Sequence, residues 1–206
     1  MKFAQSFHLA SVAARNLLLG GNLISLALIR NPKMMLQYIS ETLFLYKTFA
    51  AKRGIPQIAL NSPDDAKIYT LDLPMGEKIA PQLKTTMVDG MHIESHLGQR
   101  QYAFDNTAVA EKITCLFGDS AAFDFSPFHN QIDLFFIDGA HSYEYVRSDT
   151  LNALRCCHPG SVIAWHDFGR VGVNGVSKWI LEFARTHQVY CVPGSSLAFM
   201  RVPDNT

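Results

Sequence analysis

Short apolar runs that end in polar residues recur along the second half of the chain. The run at 132–137 is almost continuously apolar, which is typical of a strand buried on both faces of a parallel sheet. Segment 143–157 instead spaces its apolar residues at helical intervals, and His158-Pro159-Gly160 predicts the end of that helix. Further strands are predicted at 67–72, 113–117, 161–165, 188–192 and 196–202, and a further helix at 176–186.

The order of these elements predicts the fold class. Strands that alternate with helices favour a doubly wound, Rossmann-like α/β fold with a mostly parallel sheet. The last two strands are joined by Pro193-Gly194-Ser195, so we expect an antiparallel C-terminal hairpin. The polar segment 75–106 is predicted to be a long loop with some helix. We therefore divide the chain into a helical extension (1–57) and a Rossmann-like domain (58–206).

The N-terminal extension has the pattern of helices. Residues 3–29 and 33–53 space their apolar side chains at helical intervals. The stretch Leu9–Ile29 is rich in Leu and Ala, but Arg15 and two asparagines interrupt it, so it is a weak candidate for a membrane span. The interpretation is a cytoplasmic protein with no transmembrane segment, in which these N-terminal helices precede the α/β domain.

Composition narrows the classes of partner. The 206 residues carry 18 Lys plus Arg and 18 Asp plus Glu, and a neutral chain gives no electrostatic reason to expect nucleic acid. The four cysteines include no C-x-x-C pair, which favours reduced thiols over a metal site. A small-molecule substrate is the expected partner, and a homo-oligomer is compatible with the sequence.

Acidic residues stand at or just after the ends of four predicted strands. They are Asp72, Asp119, Asp138 and Asp167. The carboxyl ends of parallel strands meet at one edge of a sheet, and ligands bind at that edge. Four consecutive transitions from strand to loop that each carry Asp therefore predict one functional rim.

Several segments of this rim carry a family likeness. Phe135-Phe-Ile-Asp-Gly-Ala-His-Ser-Tyr143, with Val162-Ile-Ala-Trp-His-Asp167 behind it, resembles the class I S-adenosylmethionine-dependent methyltransferases. Ile68-Tyr-Thr-Leu-Asp-Leu-Pro74 and Leu116-Phe-Gly-Asp-Ser120 fit the same branch, which groups cephalosporin-hydroxylase-type with catechol-type O-methyltransferases. The resemblance covers about residues 58–202 and implies O-methylation of a small molecule or a sugar.

The resemblance also implies how S-adenosylmethionine would bind. Asp72 would accept hydrogen bonds from the ribose hydroxyls, since a carboxylate offers two acceptor oxygens to a diol. Gly118, Asp119 and Ser120 would flank the adenine. Asp138 would lie beside the reactive methyl group and the substrate.

A metal ion and a general base are further implications of the resemblance. In metal-dependent members, acids at the positions of Asp138 and Asp167 hold a divalent cation, and oxygen ligands suit Mg²⁺, which would acidify a substrate hydroxyl. His166 replaces an acid found in some of these relatives, so the predicted metal ligands are Asp138, His166 and Asp167. The predicted catalytic residues are Asp138 and, as the base, His141 or His166, because an unperturbed imidazole titrates near ~6.5.

Other interpretations of these residues stay open. Asp138 could cap the helix that follows it, although Ser142 is better placed for that role. His141 could be a surface-loop residue, and His92 with His96 is interpreted as a surface pair because no third ligand accompanies it. The alternative functions are a non-catalytic methyltransferase-fold binding or partner protein, and an NAD-dependent oxidoreductase. The absence of Gly-x-Gly-x-x-Gly argues against the oxidoreductase.

The family's glycine-rich turn is not found in the sequence. It should follow a first strand located before Ile58, but residues 44–57 contain a single glycine, Gly54. Lys47 stands where an echo of the turn would need glycine, and a side chain cannot replace glycine at positive φ without strain. The turn is therefore degenerate, or it has been lost together with the first strand into which Gly54–Gln57 once led.

Overall fold

The computed structural model describes residues 54–74, 76–98, 102, 104–192 and 194–204, without the side chains at 54, 56, 57, 95 and 96. Its helices are α1 (Gly54–Asn61), α2 (Met87–His96), α3 (Tyr143–Cys156) and α4 (Asn174–Phe183). Its strands are β1 (Ile68–Asp72), β2 (Ile113–Phe117), β3 (Ile132–Ile137), β4 (Cys157–Trp165), β5 (Tyr190–Cys191) and β6 (Ala198–Arg201). The predicted helices at 3–29 and 33–53 lie outside the described residues.

The strands form two sheets. β1 pairs with β2 in parallel, and the second sheet has the order β3-β4-β6-β5. α3 connects the parallel strands β3 and β4, whereas β6 runs antiparallel to both β4 and β5. The predicted α/β class and its antiparallel C-terminal hairpin are confirmed. The predicted antiparallel strands are what make the second sheet mixed.

No described strand joins β1 to β3. A first strand of the family would be central in the sheet, and residues 44–53, where it is expected, lie outside the described part of the chain. Residues 54–57 do not lead into a strand. They begin α1, which continues without a break to Asn61. The predicted boundary between the N-terminal extension and the domain therefore falls inside this helix.

Helices cover both faces of the four-stranded sheet. α3 and α4 contribute to one buried cluster, which includes Trp165 of β4. On the other face, Ile58 of α1 shares a buried cluster with Ala164 of β4 and Ile68 of β1. Neighbouring residues of a strand point to opposite faces, so Ala164 and Trp165 serve the two clusters in turn. α1 therefore contributes to a core that includes strands of both sheets.

The junction between α3 and β4 is tighter than the sequence predicts. α3 ends at Cys156, and β4 begins at Cys157 and already includes the predicted turn at 158–160. Cys157 pairs with Ile132, and the register then shifts before the pairing resumes at Leu134. This irregularity accommodates Pro159, which has no N–H for the ladder of hydrogen bonds.

The described residues test three further predictions from the sequence. None of the described helices has both the length and the apolar character that crossing a bilayer requires. All four cysteines lie in the described part and no disulfide joins them, with Cys156 and Cys157 buried. The described part of the polar segment after β1 contains the helix α2, in agreement with the prediction of a long loop with some helix.

Candidate active site

The ends of β1 and β2 form one half of the predicted rim. The two strand ends are joined by a hydrogen bond of 3.0 Å from the N–H of Gly118 to the carbonyl of Asp72. Gly118 has a φ of +151°, a conformation that favours glycine. The carboxylate of Asp72 is exposed, and its Oδ1 accepts the N–H of Leu73 at 2.8 Å. An exposed carboxylate at a strand end has the acceptor chemistry that a diol needs.

Asp119 is buried, and protein donors already engage its carboxylate. Oδ2 accepts from the N–H of Gln82 at 2.7 Å and from the hydroxyl of Tyr145 at 2.6 Å. Oδ1 accepts from the N–H of Ala121 at 2.8 Å. Burial, followed by the hydrogen bond to Asp119, raises the pKa of Tyr145 to about 12. An adenine amine would have to compete with these donors, whereas the neighbouring Ser120 is half-buried and closer to solvent.

The ends of β3 and β4 bring together Asp138, His166 and Asp167. One ligand atom from each lies within 4.8 Å of the other two. His166 Nδ1 is 3.1 Å from a carboxylate oxygen of each acid but has no aligned hydrogen-bond partner among the described atoms. The carboxylates, with Asp138 the stronger influence, raise the pKa of His166 to about 10. The side chain of Asp138 is 47% exposed, so the cluster opens towards solvent.

These three residues fit a divalent cation. Their donor atoms converge, and His166 Nδ1, which has no aligned hydrogen bond, can serve as a ligand once it has lost its proton. Two carboxylates with one imidazole suit an ion such as Mn²⁺ better than Mg²⁺, because Mg²⁺ uses imidazole little. The predicted ligands are therefore adjacent, and their chemistry shifts the preferred ion.

Asp167 has a strained backbone at the centre of the cluster. Its φ is +58°, a left-handed conformation that few residues besides glycine adopt, although Asp tolerates it better than most. Arg170 NH1 donates to its Oδ1 at 2.9 Å. Burial opposes ionisation, but hydrogen bonds from His141 and Arg170 and the ion pair with His166 outweigh it and hold the pKa of Asp167 well below its usual range. Strain of this kind concentrates at functional sites.

His141 is buried between two carboxylates. Its Nδ1 is 2.7 Å from Asp89 Oδ1, and its Nε2 is 2.9 Å from Asp167 Oδ2. The hydrogen bond to Asp167, followed by that to Asp89, raises the pKa of His141 to about 9. The interpretation of His141 as a surface-loop residue is wrong, since only 8% of the residue is exposed.

Both imidazoles carry a proton at neutral pH in this arrangement. The pKa of His141 is about 9 and that of His166 about 10. They therefore act as hydrogen-bond donors and positive charges. A general base must first lose its proton, which for His166 requires a change around Asp138 and Asp167, such as a bound cation that opposes the imidazolium charge.

Ser142 caps α3, as its position in the sequence predicts. Its Oγ accepts the N–H of Tyr145 at 3.2 Å, so Asp138 is not the cap. His92 is exposed, and its ring centroid lies 5.9 Å from that of His141, while the side chain of His96 lies outside the described atoms. Sequence reasoning missed Asp89. The spacing Thr86-x-x-Asp89 resembles a capping box and could have drawn attention to it.

Asp149 links the two halves of the rim from beneath. It is buried in α3, and one of its oxygens, Oδ1, has no hydrogen-bond partner among the described atoms. Its other oxygen lies 3.7 Å from the position that a Cβ on Gly139 would take. Burial raises the pKa of Asp149 to about 6, although a hydrogen bond with Ser120 lowers it in part.

The raised pKa of Asp149 predicts a stability that falls as pH rises. The folded state binds this proton more tightly than the unfolded state, so the group costs stability from about pH 4 upwards, and the cost is complete above about pH 6. As the pH rises between these two values, we expect the free energy of unfolding of Asp149→Asn to increase by roughly 3 kcal/mol relative to that of the wild type. Urea unfolding at a series of pH values measures this difference.

The control for this experiment is Asp65→Asn, at an exposed turn position. We expect its free energy of unfolding to follow the wild type across the same series. A constant difference between Asp149→Asn and the wild type would contradict the prediction, because a side-chain effect unrelated to ionisation shifts stability equally at every pH.

The chain has a Rossmann-like α/β fold with acids at or just after its strand ends. A family model described as "Methyltransferase domain" matches residues 57–168, more than half of the chain. The chain therefore belongs to this family of methyltransferase domains. The match confirms the resemblance to methyltransferases that the motifs indicate. No curated protein sequence matches the chain significantly.

Solved structures of methyltransferases also align with this chain, at low sequence identity. A protein from Klebsiella pneumoniae, provisionally assigned as an O-methyltransferase, aligns with a TM-score of 0.48 and 14% identity over 95% of this chain and 90% of that chain. A TDP-rhamnose 3′-O-methyltransferase of calicheamicin biosynthesis aligns with a TM-score of 0.48 and 14% sequence identity, over 95% of this chain and 93% of that chain. The O-methyltransferase of tomaymycin synthesis from Streptomyces achromogenes, in complex with SAM, aligns with a TM-score of 0.44 and 15% sequence identity. The alignment covers 95% of this chain and 88% of that chain. Likeness at this level assigns no substrate and no residue role.

Proposed function

We propose that this protein is an S-adenosylmethionine-dependent O-methyltransferase that acts on a small molecule or a sugar. The observation that carries the proposal is the rim, in which an exposed Asp72 lies at the β1–β2 end and the Asp138, His166 and Asp167 cluster lies at the β3–β4 end. The family match supports the reaction type. The rim supports a division into a cofactor half, at the ends of β1 and β2, and an acceptor half, at the ends of β3 and β4.

Methyl transfer asks little of the protein beyond alignment and the removal of one proton. Asp72 would hold the cofactor ribose, and Ser120 would lie beside the adenine. The half-exposed Asp138 would meet the acceptor hydroxyl. Where His166 Nδ1 is not a metal ligand, His166 would take the acceptor proton once its own has left. A divalent cation held by Asp138, His166 and Asp167 would supply Lewis acidity that lowers the pKa of that hydroxyl. Asp167, fixed by His141 and Arg170, keeps the cluster in place.

Binding of S-adenosylhomocysteine tests the proposal without knowledge of the acceptor. We expect calorimetry to detect binding to the purified protein. Asp72→Ala should weaken this binding about tenfold or more, because it removes hydrogen bonds to a charged group. Asp138→Ala should leave the affinity within about twofold, since its proposed partner is the acceptor.

The matched control is Asp65→Ala, which removes an exposed acid from the turn after α1. Its affinity should equal that of the wild type. The absence of both heat and a thermal shift at millimolar S-adenosylhomocysteine would contradict the methyltransferase proposal. Equal affinities of Asp72→Ala and Asp65→Ala would remove Asp72 from the cofactor site.

A second candidate function is a non-catalytic relative that acts as a binding or partner protein. The observation that favours it is the engagement of both carboxylate oxygens of Asp119 by Gln82, Ala121 and Tyr145, which leaves this acid committed to holding loops together. The unmatched glycine-rich turn agrees with it. The same calorimetric experiment separates the two, since this candidate predicts no cofactor binding.

A further inference from the structure

α2 is attached to the rest of the molecule in an unusual way. Most surface helices dock through an apolar stripe. Among the described side chains of α2, only the acid Asp89 is buried, with 3% of the residue exposed. Met87 and Met91, which are apolar, are exposed instead. Val88 and Ile93 are half-buried, so the contact made by Asp89 adds to partial apolar packing of this helix.

The two oxygens of Asp89 have different partners. Oδ2 accepts the N–H of Thr86 at 2.7 Å, and Thr86 Oγ1 accepts the N–H of Asp89 at 3.1 Å, which is the reciprocal arrangement of a capping box. Oδ1 accepts both the backbone N–H of His141, at 2.9 Å, and its Nδ1–H, at 2.7 Å. Capping of the helix occupies one oxygen, so the second oxygen is available to His141 alone.

The contact of Asp89 with His141 continues into the rim. His141 holds Asp167 Oδ2 through Nε2, at 2.9 Å, which leaves Asp167 Oδ1 directed at His166 and Arg170. Side chains behind a ligand fix its orientation in this way at many metal sites. Asp89 and His141 are 52 residues apart in the sequence, and Asp89 is the one fully buried side chain among those described in its helix.

We propose that Asp89 is a positioning residue of the methyl-transfer site, acting through His141 to orient the Asp167 carboxylate within the Asp138, His166 and Asp167 cluster. The role of this cluster in methyl transfer rests on the proposed function, whereas the orientation itself does not. Asp89 also ties α2 to the acceptor half of the rim. Its two oxygens allow the capping and positioning roles to be separated by substitution.

Two variants make this separation. Asp89→Asn removes the charge that holds His141 and preserves the size of the side chain. Thr86→Ala removes the other half of the capping box and leaves the contact between Asp89 and His141 intact. Both should loosen α2 to a similar degree, so a thermal shift common to both measures the structural cost alone.

The first measurement is an ¹⁵N-histidine NMR spectrum of the full chain. In the wild type, we expect the Nδ1–H and Nε2–H protons of His141 to exchange slowly with water, because each is held by a buried carboxylate. In Asp89→Asn, the Nε2–H, on the side of Asp167, should exchange about tenfold faster or more. In Thr86→Ala, its exchange should stay within about twofold of the wild type.

Mn²⁺ is the probe for the cluster, with its binding followed by electron paramagnetic resonance. We expect Asp89→Asn to bind Mn²⁺ about tenfold more weakly than Thr86→Ala, as for other residues behind a ligand. If Asp89→Asn does not fold, Asp89→Glu replaces it, since it keeps the charge and a capping residue while displacing the carboxylate from His141. For Asp89→Glu we then expect the same faster exchange of the His141 Nε2–H and the same weaker binding of Mn²⁺.

An unchanged Nε2–H exchange in a folded Asp89 variant would overturn the proposal, as would Mn²⁺ affinities equal to those of Thr86→Ala. Failure of the wild type to bind Mn²⁺ would instead remove the metal from the proposed function. The positioning role of Asp89 would then be decided by the exchange of the Nε2–H alone. Failure to bind S-adenosylhomocysteine would overturn the methyltransferase proposal and leave the effect of Asp89 on Asp167, through His141, as measured.

Discussion

Replacement of Gly175 by alanine should unfold the protein or leave it barely stable. A Cβ at this position would lie 2.5 Å from Tyr143 N and 2.8 Å from Ser142 C, and closer still to His141 O. All three are backbone atoms, so no side chain can swing away to make room. We expect a loss of at least about 3 kcal/mol in the free energy of unfolding, at the upper end of overpacking effects.

This clash would also disturb the rim. Gly175 lies in the first turn of α4, and its close approach sets the position of the loop that carries His141 and the cap Ser142. If enough folded protein is recovered, its Mn²⁺ affinity should fall as well, because His141 holds the Asp167 carboxylate. Urea unfolding measures the loss of stability, and soluble yield serves if the variant is too unstable to purify.

Gly90→Ala is the matched control for Gly175→Ala. Gly90 lies within α2, and no heavy atom lies within 4 Å of the position that its Cβ would take. We expect a gain of up to about 1 kcal/mol, because alanine is the better helix former. Equal stability of the two variants would show that the contact between α4 and the loop before α3 is looser than the structure describes.

Thr150→Val should lower the free energy of unfolding by roughly 2 to 6 kcal/mol, although the two side chains have almost the same shape. Thr150 Oγ1 accepts the indole N–H groups of Trp165 and Trp179, each at 2.9 Å, and donates to the carbonyl of Val146 at 2.6 Å. Thr150 is completely buried. Valine offers no acceptor, so two buried N–H groups would lose their partner at about 1–3 kcal/mol each.

The two tryptophans make this loss easy to follow. They are the only tryptophans of the chain, so intrinsic fluorescence during urea unfolding reports the site of the substitution directly. Thr150→Ser, which keeps the hydroxyl and removes one methyl group, should cost about 1 kcal/mol. If valine were tolerated as well as serine, the hydroxyl would not be the acceptor for the indoles.

The sequence predicted the acceptor half of the rim because that half is local. Asp138 ends β3 and His166-Asp167 ends β4, and these strands are linked by one helix with clear apolar spacing. Parallel strands joined in this way lie side by side, so their carboxyl ends had to meet. The junction at Pro159 was less predictable, since Cys157 pairs with Ile132 in an irregular register that no periodicity encodes.

The cofactor half was harder to predict because its side chains depend on distant segments. Asp119 has the sequence of a binding residue, yet Gln82 and Tyr145 reach its carboxylate from other elements. The roles of Asp72 and Ser120 stay predictions. Residues 44–53, where the first strand and its turn are expected, lie outside the described part of the chain.

The rim at Asp138, His166 and Asp167 was determined by the sequence alone, through apolar runs that define strands and the acids that end them. The tertiary structure alone decided the state of the groups around it. It buried His141 between Asp89 and Asp167 and raised its pKa to about 9, and it brought Gly175 against the loop before α3. Periodicity reports which face of an element is apolar, but burial and charge depend on which distant residues come together.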